Sequence, residues 1–234
     1  MNTRFVDFRL RLVCGVLLLG TITGVCFAED RDPTRWEKAI KSFEKADQQT
    51  LPPPNAILFI GSSTIVGWDL KKCFPNRATI NRGFGGSEIA DATYYAERVV
   101  FPYKPKAIVF YSGDNDIANK NTAEQVLEDF KEFVSTVRKK LPDTPIIALS
   151  VKPSIARRKF LDTMREANRL LAEYCKSDPT LRFVDVFPEM LDANGEPRAD
   201  LLREDRLHMN DQGYALFTAR VDAVLAEVLG ESKK

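Results

Sequence analysis

Apolar positions in this chain fall into two kinds of segment that alternate along it. Short runs at Ala56–Ile60, Ala78–Asn81, Ala107–Ser112, Pro145–Val151 and Leu181–Val186 are rich in Ile, Val and Phe and nearly continuous. A strand covered on both faces has no solvent side to mark with polar residues, so it reads as an unbroken run. Between the runs lie helical patterns at Glu88–Val99, Thr122–Leu141, Ala156–Lys176 and Asp211–Leu229. In the second of these Val126, Phe130, Phe133, Val134 and Val137 form one apolar stripe, read here as core. Asn121 with Glu124 suggests a capping box at its start. An amphipathic helix is expected over Pro33–Gln49, with Trp36, Ile40 and Phe43 on one face, and Pro52 to Pro54 stop it.

Strand and helix alternating five times predict an α/β fold with a parallel sheet and helices on both faces. Right-handed crossovers then give a three-layer α/β/α sandwich. No internal repeat, low-complexity tract or linker divides the pattern, and 234 residues with 44% hydrophobic and 29% charged fit one globular domain.

The first 28 residues differ. Arg4, Arg9 and Arg11 precede an uncharged stretch from Leu12 to Ala28, and Cys26-Phe27-Ala28 resembles a small-x-small cleavage site. This is the layout of a secretory signal peptide, so residues 1–28 are expected to be a leader and 29–234 the working domain, secreted, periplasmic or held in the cell envelope. The alternative is an uncleaved anchor or lipoprotein, but the apolar stretch is shorter than the ~20 residues of a usual span and holds three glycines. No stable span is expected after cleavage.

Basic and acidic residues balance, 34 against 33, with no charged block, so a nucleic-acid partner has no electrostatic footprint. Outside the leader only Cys73 and Cys175 remain, far apart and without ligand-like neighbours; two free or buried thiols are the favoured reading over a disulfide.

In an open α/β sheet the ligand crevice lies at the carboxyl ends of the strands, so the residues following each strand carry the chemistry. These are Gly61-Ser62-Ser63-Thr64, Asn81-Arg82-Gly83-Phe84-Gly85-Gly86-Ser87, Gly113-Asp114-Asn115-Asp116 and, before the last helix, Asp205-Arg206-Leu207-His208. Each alone has an ordinary structural reading: a helix cap, tight turns, a turn or a hard-cation site, a satisfied histidine. Yet His208 is the only histidine in the chain and stands three residues after Asp205. A serine nucleophile needs a base that titrates near neutrality, and only histidine does so unperturbed. An aspartate beside it would hold the ring tautomer and stabilise the imidazolium. Arg82, Lys152 and Arg157 lie on or near the same edge, either reading an anionic headgroup or standing as solvated surface charges.

The four blocks together resemble the SGNH hydrolase superfamily, the GDSL-type lipases and acylhydrolases, over essentially the whole chain after the leader. The family's Gly-Asp-Ser block corresponds to Gly61-Ser62-Ser63, its second-block glycine to Gly86, its Gly-x-Asn to Gly113-Asp114-Asn115 and its Asp-x-x-His to Asp205 and His208. Gly-Ser-Ser-Thr-Ile with Trp68, and the Asn-Arg-Gly-Phe-Gly-Gly run, are most similar to the platelet-activating-factor acetylhydrolase-like branch. One departure is Ser62, where the family name expects Asp.

The resemblance implies a flavodoxin-like fold with five parallel strands. It implies a serine esterase with Ser63 as nucleophile, His208 as base and Asp205 as its orienting partner. The oxyanion hole would be the backbone N–H groups of Ser63 and Gly86 with the Asn115 side chain. No metal or organic cofactor is called for. Gly86 is expected to let the backbone approach the substrate with no Cβ in the way. The expected substrate is an acetylated carbohydrate, a lysophospholipid or another short acyl ester. Two rivals are a catalytically silent SGNH-fold ligand-binding protein of the envelope and a flavodoxin-like nucleotide or flavin binder. The first would be signalled by loss of the serine or the histidine, and both are present; the second lacks a P-loop lysine at the first strand.

If residues 1–28 are a cleaved leader, N-terminal sequencing of the protein from its native host finds a start near Glu29. Met1 retained on envelope-associated protein supports the anchor instead.

Overall fold

The computed structural model describes residues 32–231; the expected leader, residues 1–28, lies outside the described residues. The strands are β1 (Ile57–Gly61), β2 (Thr79–Gly83), β3 (Ala107–Tyr111), β4 (Ile146–Leu149) and β5 (Leu181–Val184). All neighbours pair in parallel, in the order β2-β1-β3-β4-β5. β1 sits beside both β2 and β3, so the chain reverses its winding direction there, and the crevice at the end of β1 is where such sheets bind ligands.

Every residue of β1 and β3 is buried, and each strand's alternate residues feed two separate cores. Leu58, Ile60, Ile108, Phe110, Ile146 and Ala148 face one layer of helices. That layer holds α1 (Glu37–Gln49), α4 (Ile89–Tyr94), α5 (Ala96–Val99), α7 (Ala123–Arg138) and α8 (Leu161–Cys175). Phe59, Val109, Tyr111, Ile147 and Leu149 face the other, closed by α9 (Asp211–Val228) and the short α2 (Ser63–Val66) and α3 (Leu70–Cys73). The three-layer α/β/α sandwich is therefore as the alternation predicted.

Three local expectations change. The capping box of α7 is Thr122 with Gln125, not Asn121 with Glu124: the Thr122 hydroxyl accepts from the Gln125 N–H and the Gln125 side chain accepts from the Thr122 N–H. The single helix expected over 88–99 is broken at Tyr95, and the one expected from Ala156 begins with a 3-10 segment, Ile155–Phe160. Cys73 and Cys175 are not joined, and burial pushes the Cys175 thiol up to about 12.

The second core ties the first strand's loop to the last helix. Trp68, 2% exposed, is surrounded by Phe59, Phe74, Tyr214 and Phe217 at ring separations of 5.2 to 5.9 Å within the cluster, and its Nε1 donates to Thr218 Oγ1 at 3.1 Å. Tyr214 donates its hydroxyl to the Thr64 carbonyl at 3.0 Å. These contacts fasten the start of α9 to α2, two elements about 150 residues apart. The loop before α9 is thereby held over the loop after β1.

Candidate active site

β1 ends at Gly61, whose φ of +141° is open only to glycine; a Cβ there would lie 1.8 Å from the Tyr111 carbonyl oxygen on the neighbouring strand. The chain turns at once into α2. Ser62 points inward, fully buried, and its hydroxyl has no partner among the described residues. Ser63 is the first residue of α2 and is only half-buried. Of the adjacent serines, Ser63 is the one at the cleft.

Its Oγ lies 3.1 Å from His208 Nε2, and His208 Nδ1 lies 2.7 Å from Asp205 Oδ2. The other Asp205 oxygen accepts the backbone N–H groups of Leu207 and His208, each at 2.9 Å. The carboxylate thus closes its own loop before it meets the ring. The His208 ring, then these two N–H groups, hold its pKa well below the usual carboxylate range. An ionised Asp205 fixes the proton on Nδ1 and leaves the Nε2 lone pair facing Ser63. Asp205 and His208 are substantially exposed, so this pair orients rather than stabilises the fold.

The second and third blocks arrive beside it. Gly86 has φ +80°, and a Cβ there would meet the Trp36 ring at 3.2 Å. The left-handed backbone therefore gives a reason for glycine beyond the expected one, and the indole crowds the place a side chain would take. Trp36 belongs to the segment before α1, read from sequence as one more apolar face; nothing in its spacing marks it as a neighbour of Gly86. No protein acceptor takes the N–H of Ser63 or of Gly86 among the described residues.

Asn115 lies in α6 (Asp114–Ala118) and is 8% exposed. Its Nδ2 donates to the Ser87 carbonyl at 2.8 Å, and its Oδ1 accepts from Arg157 at 2.7 Å. One Nδ2 hydrogen remains for another acceptor.

The three cations expected as headgroup readers or solvated surface charges all have internal partners. Arg82 pairs with Asp47 and donates to the Tyr103 hydroxyl. Lys152 is 1% exposed, donates to the Leu207 carbonyl at 2.8 Å and lies 3.6 Å from Asp114. Arg157 lies 2.8 Å from Asp114 besides its bond to Asn115. Their sequence positions were on the active edge, but their directions were not legible: they turn inward to carbonyls and carboxylates.

Known proteins resemble this chain in sequence and in fold. The sequence model of the GDSL-like Lipase/Acylhydrolase family matches residues 59–216, from β1 into α9. The chain belongs to this family. It is therefore an ester-hydrolysing enzyme. Platelet-activating factor acetylhydrolase IB subunit alpha1 of Homo sapiens is 24% identical over 189 residues, covering 76% of this chain and 78% of that protein. Among solved structures, a GDSL-like lipase from Bacteroides thetaiotaomicron superposes with a TM-score of 0.68 at 19% identity, covering 80% of this chain and 97% of that one. A carbohydrate esterase family 3 protein from Talaromyces cellulolyticus does so with a TM-score of 0.58 at 15% identity, covering 76% and 99%. Among the described residues of the present chain, no helix is long and apolar enough to cross a membrane.

One further buried group stands behind the site. Asp116 is fully buried, accepts the Ile89 N–H at 3.0 Å with one oxygen and, among the described residues, has no hydrogen-bond partner for the other. Burial pushes its pKa up to about 7, with Asp129 and Asp114 adding to the rise and the Ile89 N–H opposing it. Between the ordinary value of 3.8 and about 7 the folded state keeps a proton that the unfolded chain has released. Stability contributed at this site is present at low pH and falls as pH rises through that window. Asp116→Asn should therefore raise the melting temperature relative to wild type by a few degrees at pH 8 and by less at pH 5. Thermal melts across this range that show a pH-independent difference would contradict the assignment.

Proposed function

We propose that the protein hydrolyses short acyl or acetyl esters through an acyl-enzyme on Ser63. The observation that carries this reading is the continuous line from Asp205 Oδ2 through the His208 ring to Ser63 Oγ, at 2.7 and 3.1 Å. His208 Nε2 accepts the Ser63 proton as Oγ attacks the ester carbonyl carbon. The carbonyl oxygen becomes an oxyanion, received by the N–H groups of Ser63 and Gly86 and the Asn115 amide. Collapse expels the alcohol, which takes the proton from His208. Water then attacks the acyl-enzyme with His208 again as base; the bond to Ser63 Oγ breaks, His208 returns the proton to Oγ, and the acid leaves.

Among the relatives, the names acetylhydrolase and acetyl esterase support an acetyl group, and carbohydrate esterase supports a carbohydrate ester, beside others named lipase. Arg82, Lys152 and Arg157 are engaged in internal pairs rather than left free for an anionic headgroup, which favours an acetylated carbohydrate or other uncharged ester over a lysophospholipid. Export to the envelope or beyond, supported by the leader-like first 28 residues, would place the enzyme where such esters occur.

The test is a chain-length series of acyl esters beside acetylated xylan and lysophospholipid, run on wild type and two variants. Turnover should be fastest on the acetylated substrates. His208→Ala should lower kcat by a factor on the order of 10⁴–10⁶, and Asp205→Asn by as much or less, since the base survives. Near wild-type turnover by a folded His208→Ala would remove the base from the mechanism.

A further inference from the structure

Arg157 packs against Asn115 with its side chain 16% exposed, and its hydrogen bonds show what it does there. Its Nη2 donates to Asn115 Oδ1 at 2.7 Å along a proper N–H direction. Its Nη1 lies 2.8 Å from Asp114 Oδ2 but makes no aligned hydrogen bond, so that contact is one of charge. Asp114 is 4% exposed and faces two cations, Arg157 and the buried Lys152. Lys152 in turn holds the Leu207 carbonyl, one residue before His208. A second tie joins the same two segments: the Ala156 N–H donates to the Arg206 carbonyl at 3.1 Å.

An amide can be turned by 180° about its last bond at little steric cost, exchanging oxygen for NH₂. At Asn115 both neighbours oppose that turn. It would set Oδ1 against the Ser87 carbonyl and NH₂ against the guanidinium, two like pairs in a buried place where unmatched polar groups are costly. The guanidinium does more than choose the orientation. A cation bonded to Oδ1 draws electron density from the amide and makes the Nδ2 hydrogens stronger donors.

We propose that Arg157 is a positioning residue for ester hydrolysis, fixing and polarising the Asn115 amide so that its free Nδ2 hydrogen meets the oxyanion. The proposal rests on the reading of Asn115 as an oxyanion donor. Its consequence is that Arg157 acts on turnover through Asn115 alone. In the ground state the ester carbonyl oxygen carries only a partial charge, and the hydrogen bond strengthens as the oxyanion develops, so the effect falls on kcat rather than KM.

The experiment is a double-variant cycle on a short acetyl ester, with folding checked by circular dichroism. Asn115→Ala should cost ~10²–10³ in kcat, as loss of one oxyanion donor does. Arg157→Ala should cost about 10–100-fold in kcat with KM little changed, below that full loss. Added methylguanidinium should restore part of that loss. In the Asn115→Ala background, Arg157→Ala should cost almost nothing more, and methylguanidinium should have no effect. If Arg157→Ala fails to fold, Arg157→Lys, which keeps the charge beside Asp114 but has no planar fork, carries the same cycle. Additive losses, or an Arg157 effect confined to KM, overturn the proposal while leaving the Ser63 mechanism standing. A full rate in Asn115→Ala overturns the oxyanion reading and this proposal together.

Discussion

A contact of 3.1 Å between Ser63 and His208 must be held by residues 145 positions apart in sequence, and most of the fold can be understood as the means of holding it. A proton passes between two heavy atoms only within hydrogen-bond reach, so errors of an ångström matter. The parallel sheet supplies the first part of the answer by delivering β1, β2 and β3 to one edge. The aromatic cluster around Trp68 supplies the second, because α9 brings the His208 loop with it when it packs on α2. The third part is electrostatic: Lys152 and Arg157 join the Asn115 block to the His208 loop through buried polar contacts.

Those contacts explain an unusual distribution of charge. Buried ion pairs seldom add net stability over apolar packing, and a lone carboxylate facing two cations is a poor substitute for an apolar core. They do define one arrangement, since few alternatives satisfy all the groups at once. That property suits a site in which two loops from distant parts of the chain have to keep a fixed separation. Burial beside the catalytic edge leaves Asp116 with one oxygen unpartnered among the described residues and a raised pKa, a local destabilisation.

The sheet, and a loop serine with Asp205 and His208 on one edge, were readable from sequence by local rules, while the choice of Ser63 over Ser62 came from the resemblance to the GDSL-type hydrolases. Continuous apolar runs mark doubly covered strands, polar or glycine-rich turns follow their carboxyl ends, and a sole histidine three residues after an aspartate has few other uses. What was not readable depends on direction. Lys152 and Arg157 occupy positions adjacent to the cleft, and no periodicity tells whether such a side chain turns outward to a ligand or inward to Leu207 and Asn115. Trp36 is a similar case, since its apolar spacing predicts burial but not that it would cover Gly86. The capping box of α7 slipped by one residue because Asn121 and Thr122 are both good caps, and only the backbone bonds decide between them.

The most direct measurement of the central claim is the site of covalent labelling by a fluorophosphonate, which reacts with an activated serine and mimics the tetrahedral intermediate. Peptide mass spectrometry should find the adduct on Ser63. Ser63→Ala should abolish it, and Ser62→Ala should leave it largely intact, because the Ser62 hydroxyl is buried away from His208. An adduct on Ser62, or labelling that survives in Ser63→Ala, would contradict the account.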